Sequence, residues 1–196
     1  MSTRTRWTVT ATLAVTALLA GCGGTSPDTA VPATGRALTA AVIDDIGNEP
    51  TAAGTSKETD DLGRDAVTAD VRFGRGARPY TISVLVAPED QAPQDACGTA
   101  PDGCDRISLP GGDPATLAWN ELDPDKDPGS VTITTVRDGS VVVVRYRGTA
   151  LRRDPRSRGA MPVRFEPLAD LAADPTIAVE TTQRRVDQGD KLSVWE

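Results

Sequence analysis

Histidine is absent from all 196 residues. The commonest general base and metal ligand is thereby removed. Ser-His-Asp catalysis, Cys-His catalysis and His-ligated zinc are excluded with it. Aromatic residues make up only 4% of the chain, so Val, Ile, Leu and Ala must fill most of any core. No uncharged apolar run approaches the roughly 20 residues that a membrane-spanning helix needs. Positive charge is also short: 21 Lys and Arg face 28 Asp and Glu, a net charge of −7. Nucleic-acid-binding domains carry a basic footprint, so no nucleic-acid partner is expected. Gly-rich phosphate loops, Gly-x-Ser-x-Gly and Ser-x-x-Lys are all missing, and no cofactor is implied. The length allows one domain or two small ones.

What is present begins at the N-terminus. Arg4 and Arg6 give a positive start, and Thr8 to Ala20 is uncharged and largely apolar. A short apolar run after a positive start reads as a secretory signal. It ends in Leu19-Ala20-Gly21-Cys22. This tetrapeptide resembles the lipobox of bacterial lipoproteins. The resemblance implies that the Cys22 thiol receives a diacylglycerol, that Leu19, Ala20 and Gly21 are the residues recognised by the signal peptidase, and that cleavage leaves Cys22 as the first residue. Residues 1–21 are then the signal peptide and 22–34 a lipidated tether rich in Gly, Ser, Thr, Pro and Ala. Residues 35–196 form a single extracytoplasmic domain. Two or more acyl chains give stable attachment, so the expected partner is the membrane, reached through a lipid anchor.

With Cys22 acylated, Cys97 and Cys104 remain. They flank a turn rich in Gly, Pro and Asp, and an exported compartment permits disulfides. A structural disulfide is expected. The spacing is not the C-x-x-C of a redox pair, and a structural zinc would want four ligands.

Hydrophobic periodicity outlines the domain. Leu38, Val42 and Ile46 recur at helical spacing over 35–46, with Thr34 placed as N-cap and Gly47 as the stop. Residues 48–64 read as a loop. Val67 to Phe73 and Tyr80 to Val86 alternate as strands, and 106–109 and 115–122 are weaker strand candidates. Val131–Arg137 and Ser140–Arg147 flank Asp138-Gly139, the signature of a tight hairpin. Residues 148–164 are a basic loop, Leu168 to Ala173 a short helix, and Thr176–Thr182 a strand or extended segment. After Gln183, a short helix ending at Gly189 and a strand fit equally well. The fold class expected is α+β: mainly antiparallel β-sheet, with one N-terminal amphipathic helix and a short C-terminal helix packed on it.

Three groups of residues suggest binding. Asp123, Asp125 and Asp127 alternate as at the start of an EF-hand loop, which would suit calcium. Pro128 occupies the position where that loop needs Gly, and Thr134 stands where it needs Glu, so a solvated acidic turn is the competing reading and no metal is assigned. Arg152, Arg153, Arg156 and Arg158 could hold an anion, or form a solvated loop. Paired carboxylates could serve a hydrolase, but carboxylates cannot be paired from sequence, and no catalytic residue is assigned. Beyond the lipobox, the plan is similar to uncharacterised lipoproteins of high-GC Gram-positive bacteria, through the Cys pair, the Asp-Gly hairpin and the Pro167–Pro175 segment. The expectation is a lipid-anchored extracytoplasmic protein, non-enzymatic, acting by binding or sensing or as an accessory to envelope machinery, with an envelope hydrolase as the alternative.

Overall fold

The computed structural model describes residues 26–55, 62–63, 65–75, 79–98, 102–121, 128–148, 151 and 153–195. Its centre is the Asp138–Gly139 turn. Asp138 has φ 48° and Gly139 φ 73°, so both occupy the left-handed region that two-residue hairpins require. The turn joins β7 (Gly129–Arg137) to β8 (Ser140–Gly148) in antiparallel register, Arg137 opposite Ser140 and Gly129 opposite Gly148. On one side β6 (Pro114–Asn120) and β5 (Gly103–Ser108) extend the meander. On the other, β8 pairs with β4 (Tyr80–Pro88), then β3 (Val67–Phe73) and β2 (Pro50–Gly54). The result is a seven-stranded antiparallel sheet ordered β2-β3-β4-β8-β7-β6-β5. Residues 48–64, expected as a loop, supply β2, which has little hydrophobic alternation and owes its strand to pairing with Ala53-to-Val71 register.

Strand alternation separates two faces. Val71, Ile82, Tyr146, Val131 and Trp119 stand in one cross-strand row, and Ala69, Val84, Val144, Ile133 and Leu117 in the next. These belong to the main core. Two helices cover that face, α1 (Gly35–Ile46) and α2 (Phe165–Ala173), and a third, α3 (Gln183–Asp190), packs against α1. Thr34 caps α1, accepting from the Ala37 amide at 3.1 Å, and Gly47 closes it at φ 66°. Only Asp44 of α1 is exposed. The single apolar stripe read from Leu38, Val42 and Ile46 understates this burial, because α1 touches the sheet on one side and both other helices on the others. The last segment resolves as helix α3, with Thr182 accepting from the Arg185 amide. One C-terminal helix was expected. Two occur: α2, which starts at Phe165 with Pro167 in its first turn, where a missing N–H costs nothing, and α3, started by the Thr182 cap.

The chain ends also differ from expectation. Residues 22–34 read as a tether, yet β1 (Ala30–Pro32) pairs antiparallel with β9 (Glu180–Thr182). The Gln183 and Arg184 amides donate to the carbonyls of Thr29 and Pro27, and Arg184 pairs with Asp28 at 3.0 Å. Backbone hydrogen bonds give this segment the order that its low hydrophobicity does not. The folded unit therefore extends N-terminally to about Pro27. At the other end, Trp195 bridges Ala53 in parallel and covers the free edge of β2.

Candidate functional site

The connection from β4 to β5 decides the shape of the opposite, outer face. β4 lies third in the sheet and β5 at its far edge. The intervening chain must cross β8, β7 and β6, about 19 Å at the usual strand spacing. It leaves through a short 3-10 turn, Glu89–Gln91, whose Glu89 amide donates to Gly139. It then runs over the outer face as a strap through Pro93, Asp95 and Ala96. A disulfide joins Cys97 to Cys104 on β5, with Cα atoms 5.7 Å apart. The expected disulfide is thus formed, and it ties the strap to the sheet edge.

Next to the strap's origin the outer face is apolar. Leu62, Leu85, Ala87, Val141 and Val143 form a second, smaller core cluster there. Further across, the register places Thr132 and Ala118 in line with Arg145, and Thr134 and Thr116 in line with Val143. These outward residues of β6 and β7 are small and mostly hydroxylic. The strap therefore leaves an opening on each side, above buried Thr134. A groove of about 410 Å³ opens on one side, lined by Ser130, Thr132, Thr134, Asn120, Arg145 and Arg147. A second of about 680 Å³ opens on the other, lined by Thr116, Thr134, Val136 and Arg106. Pro93, Asp95, Ala96 and Cys97 of the strap border both. Burial pushes the Arg147 guanidinium below its ordinary range. Arg145 and Arg147 each also make an interaction within the chain. The carboxylate of Asp95 accepts from the Cys97 amide at 3.0 Å, which fixes the strap's bend above the groove.

The arginines expected to bind anions lie elsewhere, beyond β5. Arg156 donates to Asp154 through Nε and Nη2 and to Asp105 at 2.5 Å, and its guanidinium lies 5.6 Å from the Trp119 ring centroid. Asp154, and after it Asp105, holds Arg156 above its ordinary range. Arg153 donates to the Arg158 carbonyl at 2.9 Å. Arg156 thus fastens the 153–164 loop to the edge strands. Arg158 is exposed, and Arg152 lies outside the described residues. So do Asp123, Asp125 and Asp127, as do Leu19, Ala20, Gly21 and Cys22. Among the described residues no group of three or more Cys, Asp or Glu is arranged to hold a metal ion. No helix among them is long and apolar enough to cross a membrane.

Carboxylates do converge at the helix junction. Arg185 of α3 bridges Asp44 at 2.5 Å and Asp174 at 3.1 Å. Beside them, burial first and the Asp174 charge second raise the Asp45 carboxyl to about 6. Neither groove beneath the strap is lined by this cluster.

Sequence reasoning missed Arg145, Arg147, Thr132 and Thr134. The signal was present: Thr132 and Thr134 alternate with Val131 and Ile133, and Arg145 and Arg147 flank Tyr146. Long polar side chains on one side of a central strand mark a face that no second layer covers. No family model matches this chain, and neither characterised proteins nor solved structures yield a significant match.

Proposed function

We propose that this chain is a lipid-anchored extracytoplasmic binding module whose ligand seat is the strapped groove on the outer face of the sheet. The observation that carries the reading is the contrast between the two faces. Helices seal one, whereas the other carries two grooves floored largely by small hydroxyl residues, on either side of a strap secured by a disulfide. Buried sheet faces are normally filled by apolar side chains. A hydroxylic floor under a fixed strap is a surface shaped for something outside the protein. The disulfide supports an oxidising compartment, in agreement with the lipobox-like Leu19-Ala20-Gly21-Cys22.

The anchor would hold the domain close to the bilayer. Cys22 precedes Ser26 by four residues, a reach of about 14 Å at most. The membrane-facing end is then the one carrying Pro27, β1 and the start of α3.

The seat is tested by photocrosslinking in intact membranes. A crosslinker at Thr132 on the groove floor is compared with one at Ser157 in the loop beyond β5. Adducts formed from Thr132 and not from Ser157 support the reading. Equal adducts from both positions, or none from Thr132, refute it.

A further inference from the structure

The two edges of the seven-stranded sheet are finished differently. At β2 the edge is closed. Pro50 opens that strand, its register shifts between Pro50 and Ala52, and the Ala53 amide donates to the Val194 carbonyl at 2.9 Å beside the Trp195 bridge. Prolines, bulges and covering segments are the usual means of blocking a sheet edge. β5, at the other edge, contains no proline and pairs with β6 without a register shift, and no strand among the described residues covers it.

Hydrogen-bond alternation fixes which backbone groups that edge presents. The Leu109 amide donates to the Asp113 carbonyl at 2.8 Å. Bonded pairs alternate along an antiparallel ladder, so Ile107, Asp105 and Gly103 turn their backbone groups towards β6. Cys104, Arg106 and Ser108 turn theirs away from the sheet, and among the described residues no hydrogen bond takes them up. Their N–H and C=O groups recur every two residues, about 7 Å apart. An extended peptide backbone offers its own groups at the same spacing.

Side chains narrow the partner. Asp105 and Ile107 stand opposite Leu117 and Ala115 on the helix-covered face, and Arg106 stands on the outer one. Arg106 and Ser108 are exposed and Ile107 is partly so. The nearby carboxylates are engaged: Asp105 by Arg156, Asp102 by the Glu121 amide and Asp95 by the Cys97 amide. Arg106 has no hydrogen-bond or ion-pair partner among the described residues. A second copy of this chain fits poorly. The two antiparallel registers that would pair most of β5 with another β5 set Arg106 opposite Arg106 or Asp105 opposite Asp105, and like charges in those positions repel.

We propose that the free edge of β5 receives an extended segment of a partner protein as a further antiparallel strand, with an acidic residue opposite Arg106 and an apolar one opposite Ile107. This surface lies beyond the groove that Thr132 floors, and backbone pairing rather than a pocket supplies its hydrogen bonds.

The test uses the full chain, purified from membranes in detergent with its disulfide intact. A fluorescein-labelled peptide, Thr-Val-Glu-Thr-Val, is titrated by anisotropy. Antiparallel docking puts its Glu opposite Arg106 and its first Val opposite Ile107. Saturable binding is expected. Methylating the Glu amide nitrogen removes a backbone donor and keeps every side chain, and should weaken binding about tenfold. Thr-Val-Lys-Thr-Val should bind about threefold more weakly than the Glu peptide, and Arg106→Glu should reverse that order. Ser108→Pro deletes an outward N–H and no ladder bond, so it should keep the Tm and weaken binding about tenfold. Should Ser108→Pro fold poorly, the N-methylated peptide on the unaltered chain still decides. Failure to saturate overturns the proposal, as does indifference to N-methylation. Equal binding of the Glu and Lys peptides overturns the acidic partner. Concentration-dependent dimerisation that Ser108→Pro abolishes would assign the edge to a second copy and overturn the foreign strand.

Discussion

The guanidinium of Arg137 donates to the Ala173 carbonyl at 2.6 Å, joining the end of the β7–β8 hairpin to the end of helix α2. It also donates to the carbonyls of Asp174 and Ile177. Helices leave their last carbonyls without partners, and a cation there also complements the helix dipole. Arg137 answers both needs while half-buried, although burial itself lowers its pKa. Arg137→Met keeps the stem and removes the donors. The expected loss is about 2 kcal/mol, a fall in Tm of about 4–8 °C, read by thermal unfolding. An unchanged Tm would show that water replaces the guanidinium without cost.

Gly189 of α3 lies against the backbone of α1. A Cβ there would stand 2.5 Å from the Arg36 carbonyl carbon and oxygen and 2.7 Å from the Ala37 nitrogen. Backbone atoms cannot swing aside as a side chain can, so the helices must separate. Gly189→Ala is expected to destabilise by about 2 kcal/mol, although Ala is the better helix former. Asp190→Ala, at the exposed neighbour, should change stability by less than about 0.5 kcal/mol. Denaturant unfolding of both variants checks the contrast.

Phe73, Tyr80 and Tyr146 form an aromatic run across the sheet, with ring centroids 5.2 Å and 5.8 Å apart. Their hydroxyls are unequal. Tyr80 Oη accepts from Asn48 Nδ2 at 2.8 Å. Tyr146 Oη is buried with no partner among the described residues, and burial, then the neighbouring Tyr80, raises its pKa to about 12. Tyr146→Phe should therefore be neutral or stabilise by up to about 1 kcal/mol. Tyr80→Phe should cost about 1 kcal/mol. The opposite order in Tm would contradict this placement of the two hydroxyls.

Asp45 should make stability depend on pH in an unusual direction. Its carboxyl titrates at about 6 in the fold, against 3.8 ordinarily. Between those values the folded protein holds the proton and the unfolded chain has released it. The site's contribution is full below about pH 4 and is lost as pH rises through 6. Asp44, Asp170 and Asp174 oppose its ionisation, and Arg185 favours it. Asp45 is only partly buried, so solvent screening reduces the effect to about 1 kcal/mol. Asp45→Asn should raise Tm at pH 7.5, have little effect at pH 4.5, and flatten the profile between. A variant with an unchanged profile would place the titration elsewhere.

Much of the sheet was legible because its strands alternate and its central turn has one favoured chemistry. Val67–Phe73 and the Asp138–Gly139 hairpin follow directly from period and turn residues. β2 was not legible, since Pro-Thr-Ala-Ala-Gly carries no pattern and becomes a strand through its neighbour. The order at Ala30–Pro32 likewise comes from a partner some 150 residues away in sequence. The disulfide was readable from the Cys pair, but its role was not: only the strand order shows that the loop it closes is a strap crossing the sheet. The groove was hidden for the same reason. Thr132 and Arg145 become neighbours through pairing of β7 with β8, and the strap walls the groove they line.

The proposed attachment of the molecule to the membrane rests on Cys22. Its N-terminal peptide, recovered from the membranes of cells making the full chain, is measured by mass spectrometry. The expected result is a chain that begins at Cys22 and carries a diacylglycerol on its sulfur. A chain retaining residues 1–21, or beginning at an unmodified Cys22, would contradict a lipid-anchored binding module.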